Sequence, residues 1–109
     1  MHELSIAQSV VDAVCEHAGD RRVHSVRVAV GALCAVIPDS MLFCFELVTV
    51  GTVAEGARLD IETPAGVGHC RDCGTEFALF DPILLCSCGS ADVEVRSGRE
   101  LRIVSMEVS

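Results

Sequence analysis

Between Gly68 and Gly98 the chain carries Cys70, Cys73, Cys86 and Cys88, few large apolar residues and no helical periodicity. About thirty residues of that composition cannot bury enough surface to fold alone, so a metal ion has to hold the segment together. The spacing is Cys70-x-x-Cys73, twelve residues, then Cys86-x-Cys88, and a glycine (Gly74, Gly89) follows each pair. Two such turns can aim four thiolates at one point. Four thiolates at tetrahedral corners suit zinc(II) and leave no open coordination position, which marks a structural ion rather than a catalytic one. Two alternatives stay open: iron is held by the same kind of thiolate set, and His69 could replace one sulfur, although it reads more readily as a solvent-facing loop residue. Phe77 and Phe80 read as packing around the ion.

Thr63-Pro64-Ala65-Gly66-Val67-Gly68 and Ser97-Gly98 flank this segment with turn- and linker-like composition. The reading is therefore a module over 67–97 inserted into a discontinuous domain made of 1–66 and 98–109. In that domain Leu4, Ala7, Val11, Val14 and Ala18 recur at three- and four-residue steps, which predicts an amphipathic helix from Glu3 to Ala18 closed by Gly19. Val26, Val28 and Val30 alternate with Ser25, Arg27 and Ala29 as a half-buried strand. Pro38-Asp39-Ser40 opens a second helix that runs to about Val50. Its apolar residues lie on nearly all sides, so it is either deeply buried or turns one side to a partner. Leu59 and Ile61 mark a second strand and Glu100–Val108 a third. The apolar parity of the third switches between Ile103 and Val104, which predicts a bulge there. The fold class is α+β: two helices packed on a three-stranded sheet, with an inserted zinc-ribbon-like module.

Charge and cysteine usage narrow the function. Sixteen acids against eight bases give a net charge of −8, the opposite of a nucleic-acid footprint. Four phenylalanines, with no Trp or Tyr, offer no stacking platform for bases. No apolar run reaches the roughly 18 residues of a membrane span, and the start lacks the pattern of a secretory signal. Seven cysteines, an odd number, fit a reducing compartment. Neither nucleic acid nor a membrane is expected as a partner, and the expected location is the cytoplasm. Cys15, Cys34 and Cys44 read as core thiols, His17 and His24 as surface groups. No Ser-His-Asp grouping, phosphate loop or dinucleotide fingerprint is present, so catalysis is not indicated.

Met1-His2-Glu3 has its own chemistry. A large second residue disfavours removal of the initiator methionine, which leaves an α-amine, the His2 amide and the His2 imidazole close together in sequence. Glu3 can add a fourth donor through its amide or carboxylate. Nitrogen-rich planar chelation is the preference of nickel(II) and copper(II) rather than zinc, and it is pH-sensitive because protons must leave first.

Met1-His2-Glu3-Leu4-Ser5-Ile6 ahead of a helix, Val28-Ala29-Val30-Gly31, the Pro38-Asp39 helix start, Glu55-Gly56-Ala57-Arg58-Leu59, the cysteine quartet and the ending from Gly98 to Val108 stand in this order. Together they resemble the HypA/HybF family of hydrogenase-maturation nickel metallochaperones along essentially the whole chain. The resemblance implies transient Ni(II) at Met1, His2 and Glu3, and structural zinc at Cys70, Cys73, Cys86 and Cys88. It implies as partners the GTPase HypB and the hydrogenase large subunit, with urease as another destination and a second copy of the chain as a further candidate. The departure is Cys86-Ser87-Cys88, one residue tighter than the usual pattern of that family. Two other function classes compete: a zinc-ribbon adaptor that scaffolds proteins without nickel transfer, and an electron-transfer iron protein.

Overall fold

A computed structural model describes residues 3–109. Its elements, in chain order, are α1 (Glu3–Ala18), β1 (Val23–Val30), α2 (Pro38–Thr49), β2 (Arg58–Glu62), β3 (Gly66–Cys70), β4 (Glu76–Leu79), β5 (Val93–Ser97) and β6 (Leu101–Val108), with a single 3-10 turn at Ala32–Cys34. They form two lobes. The radius of gyration is 16.8 Å over extents of 53 × 21 × 16 Å, against about 13 Å for a compact chain of this length.

The first lobe is a sheet in the order β2-β1-β6 with α1 and α2 packed together against it. Strand β2 runs parallel to β1 and β6 antiparallel. The parallel pair needs a crossover, and α2 supplies it. Ile6, Val10, Val11, Val14, Val26, Val28, Met41 and Phe45 interlock as the core. Leu4, expected on the buried stripe of α1, is instead 52% exposed, and Ile6 and Val10 take the inward positions. The helix has one surplus apolar residue in its first turn, so periodicity admitted either phase. The expected bulge is present: Arg27 faces Ser105 while Val28 faces Ile103, which leaves Val104 without a partner.

The second lobe holds a sheet in the order β4-β3-β5, all antiparallel. Gly66-Val67-Gly68, expected to be linker, is the first part of β3. Two glycines in three residues have the composition of a turn. Here they allow close approach, since Gly68 lies under Leu79 and Val93. The core of this lobe is small: Cys70, Cys86 and Val93, with Phe77 and Leu84 against them. Phe80 departs from expectation and is 75% exposed.

The lobes meet where the two connecting segments cross the end of β1. Leu33 N–H donates to the Gly98 carbonyl at 2.9 Å, Ala32 N–H to Pro64 at 2.9 Å and Gly31 N–H to Glu100 at 2.8 Å. A Cβ on Gly31 would overlap the Gly98 carbonyl group, and one on Gly98 would sit 2.7 Å from the Gly66 Cα. Only glycine fits at such backbone-on-backbone contacts.

Candidate metal centre

Cys70 ends β3, and the chain then turns back so that Gly74 N–H donates to the Cys70 carbonyl at 2.8 Å and Cys70 N–H to Thr75 at 2.9 Å. The turn brings Cys73 round, with its amide 3.5 Å from the Cys70 sulfur. The second turn has the same logic with one residue fewer: Gly89 N–H donates to Cys86, and Cys86 N–H to Ser90, both at 2.9 Å. The shortened Cys86-Ser87-Cys88 spacing thus still closes a turn. Cys70 and Cys86 are buried beneath the pair, while Cys73 and Cys88 face outward.

The four sulfurs converge. All lie within 4.8 Å of one another, with Cys70 to Cys88 at 3.7 Å and Cys73 to Cys86 at 3.6 Å. A tetrahedron with metal–sulfur bonds of about 2.3 Å has an edge of roughly 3.8 Å. The donor set and its spacing therefore fit one four-coordinate thiophilic ion. Among the described residues no other group of three or more His, Cys, Asp or Glu side chains converges in this way.

Four thiols this close cannot all ionise unaided. The Thr75 hydroxyl and amide, followed by the neighbouring sulfurs, hold Cys73 down at about 6. At Cys88 the Ser90 amide works downward, but the adjacent Cys86 and Cys70 outweigh it and push the thiol up to about 12. A divalent cation reverses that opposition, because coordinated thiols are deprotonated outright.

Polar residues that the spacing did not single out tie the two turns together. The Ser90 hydroxyl donates to the Asp72 carboxylate. Arg71 reaches Asp92 at 2.9 Å with its side chain, and its amide donates to the Asp92 carbonyl at 3.0 Å. Their signal is modest: each is a polar residue within a few positions of a ligand, in the opposite turn from its partner. His69 is a strand residue, half-buried on β3 between Glu76 and Glu94, and not a solvent-facing loop residue. Its Nδ1 is enclosed without a hydrogen-bond partner, and it does not join the sulfur cluster.

Of the amino-terminal donors, Met1 and His2 lie outside the described residues. Glu3 stands in the first turn of α1 and lines a shallow hollow with Leu4, Asp39, Ser40, Phe43 and Cys44. Cys15, Cys34 and Cys44 are half-buried against the first-lobe core. His17 and His24 are exposed, and the His24 Nε2 lies 2.6 Å from the Ser109 hydroxyl.

Comparison with known proteins bears on the whole chain. Residues 1–108 match the family model described as HypA, hydrogenase/urease nickel incorporation, metallochaperone. The hydrogenase maturation factor HypA of Geotalea uraniireducens is 49% identical over 111 residues, covering 99% of this chain and 99% of that protein. The hydrogenase maturation factor HypA of Nostoc punctiforme is 44% identical over 108 residues, covering 99% and 96%. The solution structure of the Ni metallochaperone HypA from Helicobacter pylori superposes with a TM-score of 0.69 at 26% identity, covering 99% of this chain and 97% of that one.

Proposed function

This chain belongs to the HypA family of hydrogenase/urease nickel-incorporation metallochaperones, and we propose that it carries Ni(II) on Met1, His2 and Glu3 and releases it for maturation of nickel–iron hydrogenase, or of urease. In this reading Cys70, Cys73, Cys86 and Cys88 hold zinc(II) permanently, as the structural ion of a module over 67–97. The nickel-binding unit is 1–66 with 98–109. The work is ion transfer between donor sets, not catalysis, and it takes place in the cytoplasm with the GTPase HypB and the hydrogenase large subunit as partners.

The full-length family match carries the proposal. The two metals separate on chemistry. Sulfur-only tetrahedral donors favour zinc, and an amine, amide and imidazole set favours planar nickel. The structure supports this division of labour: Glu3 begins α1 in the first lobe, while the sulfur cluster lies wholly in the second. A carrier must also let its cargo go. Met1 and His2 supply three donors and leave the fourth planar position to Glu3 or to a recipient's donor in exchange, whereas the closed thiolate set offers no such position.

Nickel titration of untagged protein tests the reading. His2→Ala should abolish stoichiometric nickel while zinc content and far-ultraviolet circular dichroism stay unchanged. Extra residues ahead of Met1 should weaken nickel if the α-amine is a ligand. Equal nickel stoichiometry in the wild type and His2→Ala would end the proposal. An exposed apolar side of α2 also suits an adaptor without nickel transfer, and that reading requires no stoichiometric nickel in the wild type.

A further inference from the structure

The solvent side of α2 has the wrong composition for a helix that faces only water. Met41, Phe45 and Thr49 point into the core. The outward positions at helical spacing are Asp39, Leu42, Phe43, Glu46, Leu47 and Val50, the last just past the helix end. Four of the six are large and apolar, with exposures of 40%, 61%, 54% and 68% for Leu42, Phe43, Leu47 and Val50. Leu4, displaced from the core of α1, continues the patch beside Phe43. A contiguous patch of this kind rimmed by polar groups marks a protein interaction site.

The charge around it selects the occupant. The helices carry Glu3, Asp12, Glu16, Asp39 and Glu46 and not a single arginine, while all the bases of the chain lie on strands and loops. Arg58, at the edge of the hollow beside Leu42 and Glu46, is held by Asp60 at 3.2 Å. An isologous pairing of two copies through this face would bring two surfaces of the same negative charge together, which like-charge repulsion opposes. Basic residues flanking an apolar stripe complement it instead.

We infer that the outer face of α2, with Leu4, is a docking surface for a basic amphipathic helix of a partner protein. Phe43 and Leu47 are the anchors, and Asp39 and Glu46 pair with the flanking cations of the partner. The surface borders Glu3, so a protein docked there stands beside that side chain. The docking itself does not depend on nickel, and its failure would leave the nickel reading untouched.

The test uses zinc-loaded, isotope-labelled full chain and two synthetic amphipathic helices of identical leucine spacing, one arginine-rich and one glutamate-rich. The arginine-rich helix should bind at least about tenfold tighter, shift the amide signals of residues 39–50, and weaken as salt is raised. Phe43→Ser and Leu47→Ser should each weaken it by roughly tenfold, in the range of an anchor residue. Glu46→Lys should weaken it and flatten its salt dependence. All of these positions are exposed, so the fold should stand. Equal binding of the two helices, signal shifts confined to the second lobe, or unchanged affinity in all three variants would overturn the inference. So would concentration-dependent self-association that maps to α2 and disappears in Leu47→Ser, which would give the face to a second copy.

Discussion

Replacing Gly31 by Ala should cost the first lobe far more than one methyl group suggests. Gly31 has φ −54° and ψ 143°, an ordinary backbone conformation, so the substitution carries no conformational penalty of its own. Its cost is steric. The new Cβ would overlap the Gly98 carbonyl, and it would also lie 2.9 Å from the Arg99 amide nitrogen. Both are backbone groups and cannot rotate aside. The chain can either accept the overlap, at about 1–3 kcal/mol for overpacking, or part the crossing. Parting it breaks the 2.8 Å bond to Glu100 and the 2.9 Å bond from Leu33 to Gly98, at about 0.5–1.5 kcal/mol each. The two routes agree on a loss of about 2 kcal/mol. For a domain of this size that is a fall in Tm of about 8–16 °C. Both helices lie in the first lobe, so ellipticity at 222 nm during thermal or urea unfolding reports on that lobe. Gly68→Ala is the control: its Cβ would meet only the Leu79 and Val93 side chains, the nearest atoms at 3.0 Å, and methyl groups can yield. If Gly31→Ala and Gly68→Ala shift the helical transition equally, the crossing does not bear on the stability of the first lobe.

Removing the second-lobe metal by chelation, or replacing Cys70 with Ser, should abolish amide protection in β3, β4 and β5 and leave the helical ellipticity in place, because the small core there is built on the cysteines themselves. Retention of protected β3–β5 amides in metal-free protein would show that the core suffices. At the crossing, both carboxylate oxygens of Glu100 accept from the Gly98 amide at 3.0 Å, and that bond holds its pKa below the ordinary value of 4.5. A lowered folded-state pKa contributes stability that is present above the ordinary carboxylate range and is lost as pH falls through the lowered value. Glu100→Gln should therefore flatten the fall in urea midpoint between neutral and acidic pH, and an unaltered slope would remove Glu100 from the acid response.

Much of this architecture is legible in the residues, and the failures have physical causes. The bulge at Val104 shows because the two-residue alternation of a strand is rigid, so a change of parity within one strand requires an inserted residue. The quartet shows because four thiols in a poor core leave metal binding as the consistent outcome. The second sheet is hidden: β3 alternates glycine with Val67 and His69, so its buried face has only the Cys70 side chain to announce it. Leu4 misleads because a helix with surplus apolar residues has no unique phase, and the choice fell to packing against Phe45 and Met41. His69 is misplaced for a related reason, since proximity to a ligand in sequence suggests a loop when the strand runs right up to Cys70. The all-round apolar character of α2 admits burial or a partner-facing side, and only the fold decides between them.

The return of the chain to its first sheet has a kinetic side. Strand β6 is an edge strand that must find β1 after the chain has left through β2, and residues 63–100 intervene between the two. Closing so long a loop is an entropic search whose cost grows with the logarithm of its length. An ion gripping Cys70 and Cys88 short-circuits the stretch between them, close to half of that loop. Halving the loop lowers the closure cost by about 0.6 kcal/mol, a roughly threefold faster encounter. An ion that touches no residue of the first sheet thereby hastens the arrival of its last strand.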